Sequence, residues 1–180
     1  MGVFGYQVAG SSWTASGDII RGSIFTCPSN GRAVSITAYV KKAGSSPLLG
    51  FTVTFKYAIY RHSDGVLIGY TNEGSTTNTS GVWVTLNIIS GGILVAGEVY
   101  VLVLFGKYEE SLPRWKYPSF AYDVGDPNQG HFKSLTYNGF PDPIAWDGHN
   151  DRKCSIYCTY SLPTKAGLHP SKPLSVICSD

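Results

Sequence analysis

The side chains best suited to chemistry in this chain are aromatic rings set beside acids and amides. Trp115, Tyr117, Phe120 and Tyr122 lie in one irregular stretch, Gly106 to Gly130, and Trp146 lies in a second, Asn138 to Arg152. Aromatic faces stack on the C–H faces of sugar rings. The neighbouring Asp123, Asp126, Asn128, Asp147 and Asn150 supply acceptors and donors for hydroxyl groups. A few placed polar groups among rings is the usual make-up of a small-ligand site. Trp115, Tyr117, Tyr122, Asp123, Trp146 and Asp147 are therefore the expected ligand-binding residues, with carbohydrate as the expected ligand. The competing expectation is that these rings plug the open end of a β-fold, because large aromatics bury much area.

Other chemistries find less support in the spacing. Asp123, Asp126 and Asn128, or Asp147 and Asp151, offer oxygen ligands, but calcium takes about six to eight and neither run has EF-hand spacing. Calcium is a secondary expectation, and no other cofactor is implied. His62, His131, His149 and His169 are dispersed, no serine sits in a nucleophile elbow, and no histidine pair has zincin spacing. The expectation is a protein that is not an enzyme.

Cys27, Cys154, Cys158 and Cys178 could make two disulfides in an oxidising compartment. If Cys154 and Cys158 share a strand, about 3.3 Å per residue puts them roughly 13 Å apart, beyond the bridging limit of about 7 Å. Cys27 then joins one of them and Cys178 the other, or all four stay reduced and pack as small apolar residues. The Cys154-x-x-x-Cys158 spacing matches neither a zinc ribbon nor a haem attachment.

The elements that would position these groups are strands. A hydrophobic content of 43% over 180 residues supports one sizeable core, while 21 glycines and 12 tyrosines favour turns and strands over helices. Period-two alternation puts Val34, Ile36, Ala38 and Val40 on one face, with Ser35, Thr37 and Tyr39 opposite. Phe51, Val53, Phe55, Tyr57 and Ile59 make a second such face, and Val82, Val84, Leu86 and Ile88 a third. Val99 to Phe105 is apolar on both faces, which predicts a central strand covered on both sides. Ser63-Asp64-Gly65 predicts a hairpin turn. Strands are expected near 22–27, 33–41, 51–61, 66–71, 81–89, 98–105, 131–137 and 153–161. The implied fold is all-β, an antiparallel β-sandwich of jelly-roll type over residues 1–161. Residues 162–180 would form an extended tail packing on their own or a neighbouring sandwich.

Charge and hydropathy narrow the partners. A net charge of +2 from scattered Lys and Arg gives no basic block for nucleic acid. No apolar run reaches the roughly 18–20 residues of a membrane span, and Met1 to Ala9 lacks the regions of a signal peptide, so neither membrane insertion nor a leader is expected.

The order Gly22-Ser23-Ile24-Phe25-Thr26-Cys27, Val34 to Val40, Ala58-Ile59-Tyr60, Gly81-Val82-Trp83-Val84, Leu94 to Gly97 and Ser155 to Tyr160 resembles jelly-roll β-sandwich modules of bacterial, archaeal and viral surface proteins, similar to carbohydrate-binding modules. The resemblance implies a non-catalytic module at an extracellular, cell or virion surface, and carries over no ligand residue. The alternative is a structural subunit of a virion, appendage or filament, with other subunits or copies of itself as partners.

Overall fold

In the computed structural model, residues 1–44, 51–111 and 114–163 are described, and every regular element among them is a β-strand. In chain order these are β1 (Gly2–Gly5), β2 (Ser12–Ala15), β3 (Ile19–Thr26), β4 (Gly31–Gly44), β5 (Val53–Arg61), β6 (Leu67–Thr71), β7 (Gly74–Thr76) and β8 (Val82–Gly91). Then follow β9 (Ile93–Leu94), β10 (Val99–Gly106), β11 (Glu109–Ser111), β12 (Arg114–Val124), β13 (Gly130–Ser134), β14 (Gly148–Asn150), β15 (Arg152–Cys154) and β16 (Ile156–Ser161). Each segment that alternates in the sequence holds a strand, although Phe51 of the second lies ahead of β5.

The strands form two antiparallel layers. In the first, β4 is central, with β16 and β12 along one edge and β8 and β9 along the other; β1 extends β16, and β2 extends β12. The second layer runs β14-β13-β3-β10-β5-β6. Strand β8 serves both, since Val82–Asn87 pairs with β4 and Ile88–Gly91 pairs with β6. A strand that changes sheets makes a corner, so the sandwich is joined along that side.

Between the layers lies the main core, built from the inward phase of each strand: Ile36, Ala38 and Val40, Phe55, Tyr57 and Ile59, Tyr100, Leu102 and Leu104, and Ile156, Cys158 and Tyr160. Phe55 is fully buried, as its phase predicts. Gly22 allows β3 to approach β10, because a Cβ there would lie 1.9 Å from the Leu102 carbonyl oxygen. The expected hairpin turn is present: Gly65 adopts φ 71°, and its N–H donates to the Arg61 carbonyl.

Strand β10 is covered on both faces, and its second cover is a separate core. Val101, Val103 and Phe105 face away from the main core and join Ile20, Ala58, Tyr60 and Ile144. The covering material is not a sheet but the segment 135–147, which links β13 to β14 and lays Leu135, Tyr137, Phe140 and Trp146 over the second layer. Tyr60, on the outward phase of β5, is therefore fully buried, and its hydroxyl donates to the Pro141 carbonyl at 3.0 Å.

Three expectations need correction or restriction. Gly106 to Gly130 is not one long loop, because it holds the β11–β12 hairpin. Both phases of β12 carry apolar groups and Pro118 interrupts it, so the stretch shows no alternation and reads as irregular. No disulfide forms among the described residues: Cys27, Cys154 and Cys158 are free, buried thiols. They fill the inter-sheet core as small apolar side chains, and burial raises the Cys154 thiol to about 11 and the Cys158 thiol to about 12. Cys178 and the tail from residue 164 onward lie outside the described residues.

Candidate functional site

The expected ligand-binding residues are spread over both layers. Trp115, Tyr117, Tyr122 and Asp123 all belong to β12 in the first layer, whereas Trp146 and Asp147 belong to the segment on the outside of the second. Trp115 is exposed, and Tyr117 stacks on Tyr108 at 6.3 Å between ring centroids. Tyr122 packs against the main core under the Arg152 guanidinium. Trp146 meets Tyr60 edge to face at 5.7 Å and His131 at 5.4 Å.

Both carboxylates hold the fold together. Asp123 accepts the Tyr6 hydroxyl at 2.8 Å and the Ser11 N–H at 2.9 Å, which ties the segment between β1 and β2 to β12. The Ser11 N–H, the Ser11 hydroxyl and the Tyr6 hydroxyl together keep its carboxyl below the usual carboxylate range. Asp147 accepts from Lys133 Nζ at 2.6 Å and the Ser134 N–H at 2.8 Å, which pins the end of the covering segment. Asp151 accepts the Asn128 N–H at 2.8 Å. For calcium, the described residues bring no three His, Cys, Asp or Glu side chains together as a metal site.

The sequence reading missed a larger aromatic assembly on the outer face of the first layer. Register creates it. Tyr39 on β4 pairs directly with Trp83 on β8, and Trp13 on β2 pairs with Ala121 on β12. Ala121 is one residue beyond the Phe120–Val40 pair, so its small side chain lies between Trp13 and Tyr39 and lets their rings meet. The result is a row with centroid separations of 5.6 Å for Trp13–Tyr39, 5.0 Å for Tyr39–Trp83 and 5.6 Å for Trp83–Tyr157. All four rings are half-buried, and Lys41 Nζ sits 4.2 Å from the Trp13 ring centroid. Beneath the row, the Thr37 and Thr85 hydroxyls hydrogen-bond at 2.8 Å. By strand alternation Tyr117 and Trp115 share this face, which thus carries three of the chain's four tryptophans. The signal was present in the sequence: Tyr39, Trp83 and Tyr157 occupy the phase opposite the core in strands whose other phase is apolar.

Two further groupings arise on the second layer. His62, His131 and His149, far apart in sequence, converge: His131 lies 5.1 Å from His62 and 6.3 Å from His149 between ring centroids. Burial, then the neighbouring His62, keeps His131 below the ordinary histidine value, and its Nδ1 has no hydrogen-bond partner among the described residues. Lys56 extends from the outward phase of β5 into a cluster of rings formed by Phe105, Tyr137 and Phe140. Burial lowers its ammonium pKa, partly offset by Glu73. A cleft opens beside it. No helix among the described residues is long and apolar enough to cross a membrane. No protein-family model matches the chain, and no curated protein matches it in sequence.

Proposed function

We propose that this chain is a non-catalytic, surface-exposed module that binds carbohydrate on the aromatic row of its first layer, not through end loops. One observation carries the reading: the rings Trp13, Tyr39, Trp83 and Tyr157 form a continuous, partly exposed row, and among the described residues no third apolar cluster lies over it. Aromatic surface left in contact with water on a protein whose other sheet is carefully covered has a reason to stay uncovered. The row's Tyr hydroxyls and indole N–H groups, and Lys41 lying over the Trp13 ring, supply donors, so a ligand with apolar C–H faces and many hydroxyls satisfies both kinds of surface. The resemblance to jelly-roll surface modules points the same way.

The test is affinity electrophoresis and tryptophan fluorescence against soluble β-glucan, xylan, mannan and galactan. Trp83→Ala should weaken binding about fivefold or more, because an aromatic contact is worth on the order of 1 kcal/mol or more. Unchanged binding in Trp83→Ala would remove the row from the site. A second reading, a subunit of a larger assembly, draws on a different surface. Ile93, Val95 and Leu162 are 68%, 52% and 48% exposed and surround a shallow cleft at the end where β16 finishes. Sedimentation separates the two: a monomer that binds polysaccharide supports the module, and a large assembly that binds none supports the subunit.

A further inference from the structure

The cleft beside Lys56 lies on the second layer, away from the aromatic row, and we propose that it is a second binding site that takes a single neutral sugar ring. Its volume is about 460 Å³, within the range of small-ligand pockets, and its lining includes Lys56, Tyr70, Asn72, Glu73 and Phe140. Tyr70 and Phe140 have centroids 6.3 Å apart with 51° between their planes, so they form a corner. A pyranose can lay a C–H face on one ring and an edge on the other.

The cation of the cleft is held in place before any ligand arrives. Lys56 Nζ lies 4.7 Å from the Tyr137 centroid, 4.9 Å from Phe140 and 5.4 Å from Phe105, and it donates to the Asn138 carbonyl. Three rings and one carbonyl fix the ammonium at the cleft wall, which lowers the ordering cost of binding. Thr71 also lines the cleft, but its hydroxyl accepts the Tyr57 N–H at 3.0 Å and donates to the Asn72 carbonyl at 2.8 Å. It shapes the wall and leaves Lys56, Asn72, the Tyr70 hydroxyl and Glu73, whose carboxylate lies beside the Tyr137 hydroxyl, to meet a ligand.

Charge decides the ligand class. One cation and one anion share the cleft, so a charged ligand meets a like charge wherever it meets an opposite one. A neutral polyhydroxylated ring satisfies both, accepting from Lys56 and donating to Glu73 through neighbouring hydroxyls. The proposal shares the ligand class of the carbohydrate reading but uses a different site.

The experiment is an amide-shift titration of the full chain with glucose, galactose, mannose and xylose, with glucuronate and glucosamine as charged comparisons. At least one neutral sugar should shift the Thr71, Asn72, Glu73 and Gly139 amides, equally in wild type and in Trp83→Ala. Asn72→Ala and Glu73→Ala, both at exposed positions, should each weaken that response about tenfold, as loss of a hydrogen bond to a ligand does. The proposal is overturned if no neutral sugar moves these amides, if neither substitution alters the response, or if a charged sugar moves them more strongly. Polysaccharide binding at the row without a cleft response defeats the cleft alone; silence at both sites defeats the carbohydrate reading as well.

Discussion

The outer faces of the two layers carry similar side chains and meet different fates. On the second layer Tyr60 and Phe105 are fully buried beneath the segment 135–147, whose own Tyr137, Phe140 and Trp146 are half-buried, and together they make a second core. On the first layer Trp13, Tyr39, Trp83 and Tyr157 make the same kinds of ring contact, yet they remain half-exposed. Aromatic content alone therefore does not separate a core from a surface. Among the described residues, what separates them is whether a chain segment crosses the face and what anchors it. The covering segment is tied down at several points: the Ile144 N–H donates to the Gly65 carbonyl at 2.9 Å, the Leu67 N–H to Asp142 at 2.9 Å, and the Tyr137 N–H to Asp18 at 3.1 Å.

The largest effect expected from this contrast is in stability. Phe105→Ala should cost about 3–5 kcal/mol, as large core truncations do. Trp83→Ala, which removes two ring contacts at a half-buried site, should cost about 1–3 kcal/mol. Urea unfolding measures both, and equal losses would mean that the row is a structural core and the contrast is false.

Next comes the anchor of the cover. Asp18 holds φ 51°; its carboxylate accepts two backbone N–H groups, from Tyr108 at 3.2 Å and Tyr137 at 3.1 Å, and its carbonyl accepts the Leu135 N–H at 3.0 Å. Asp18→Ala leaves both donors unpaired and should cost roughly 1–3 kcal/mol. Hydrogen exchange should then speed up in residues 135–147 but not in β4 or β16. Uniform acceleration would show that the cover and the main core open together.

Acidification should act on the same face. His131 has its folded pKa below the ordinary value of about 6.5, so the unfolded chain takes up the proton more readily. The stabilisation is complete above that value and is lost as the pH falls below it. His62 and His149 lie beside it, and both lower its pKa further. Melting curves of wild type and His131→Asn between pH 7 and 5 should converge toward the acid end; parallel curves would remove the histidines from the account.

The smallest expected effect is at the row. Lys41→Ala removes a cation from the Trp13 ring and should cost on the order of 0.5–1 kcal/mol at an exposed site. A loss of several kcal/mol would show that Lys41 closes the face as the 135–147 segment closes the other.

Local pattern alone determined much of this protein. Phe55, Tyr57 and Ile59 alternate with polar neighbours, and Val101 and Leu102 sit in a run apolar on both phases, so strand identity and the double cover of β10 follow from side-chain period. Strand β12 escaped because a strand contacted on both sides loses its alternation, and Pro118 reads as a break. Register and chain path belong to the tertiary structure. The meeting of Trp13, Tyr39 and Trp83 depends on which residues of β2, β12, β4 and β8 stand opposite one another, and a slip of one residue would turn each ring to the other face. The meeting of His131 with His149 depends on the β13–β14 register, and that of Lys56 with Tyr137 and Phe140 depends on segment 135–147 crossing the second layer. Nothing in a local window encodes that choice, because it is settled by contacts between residues distant in the chain.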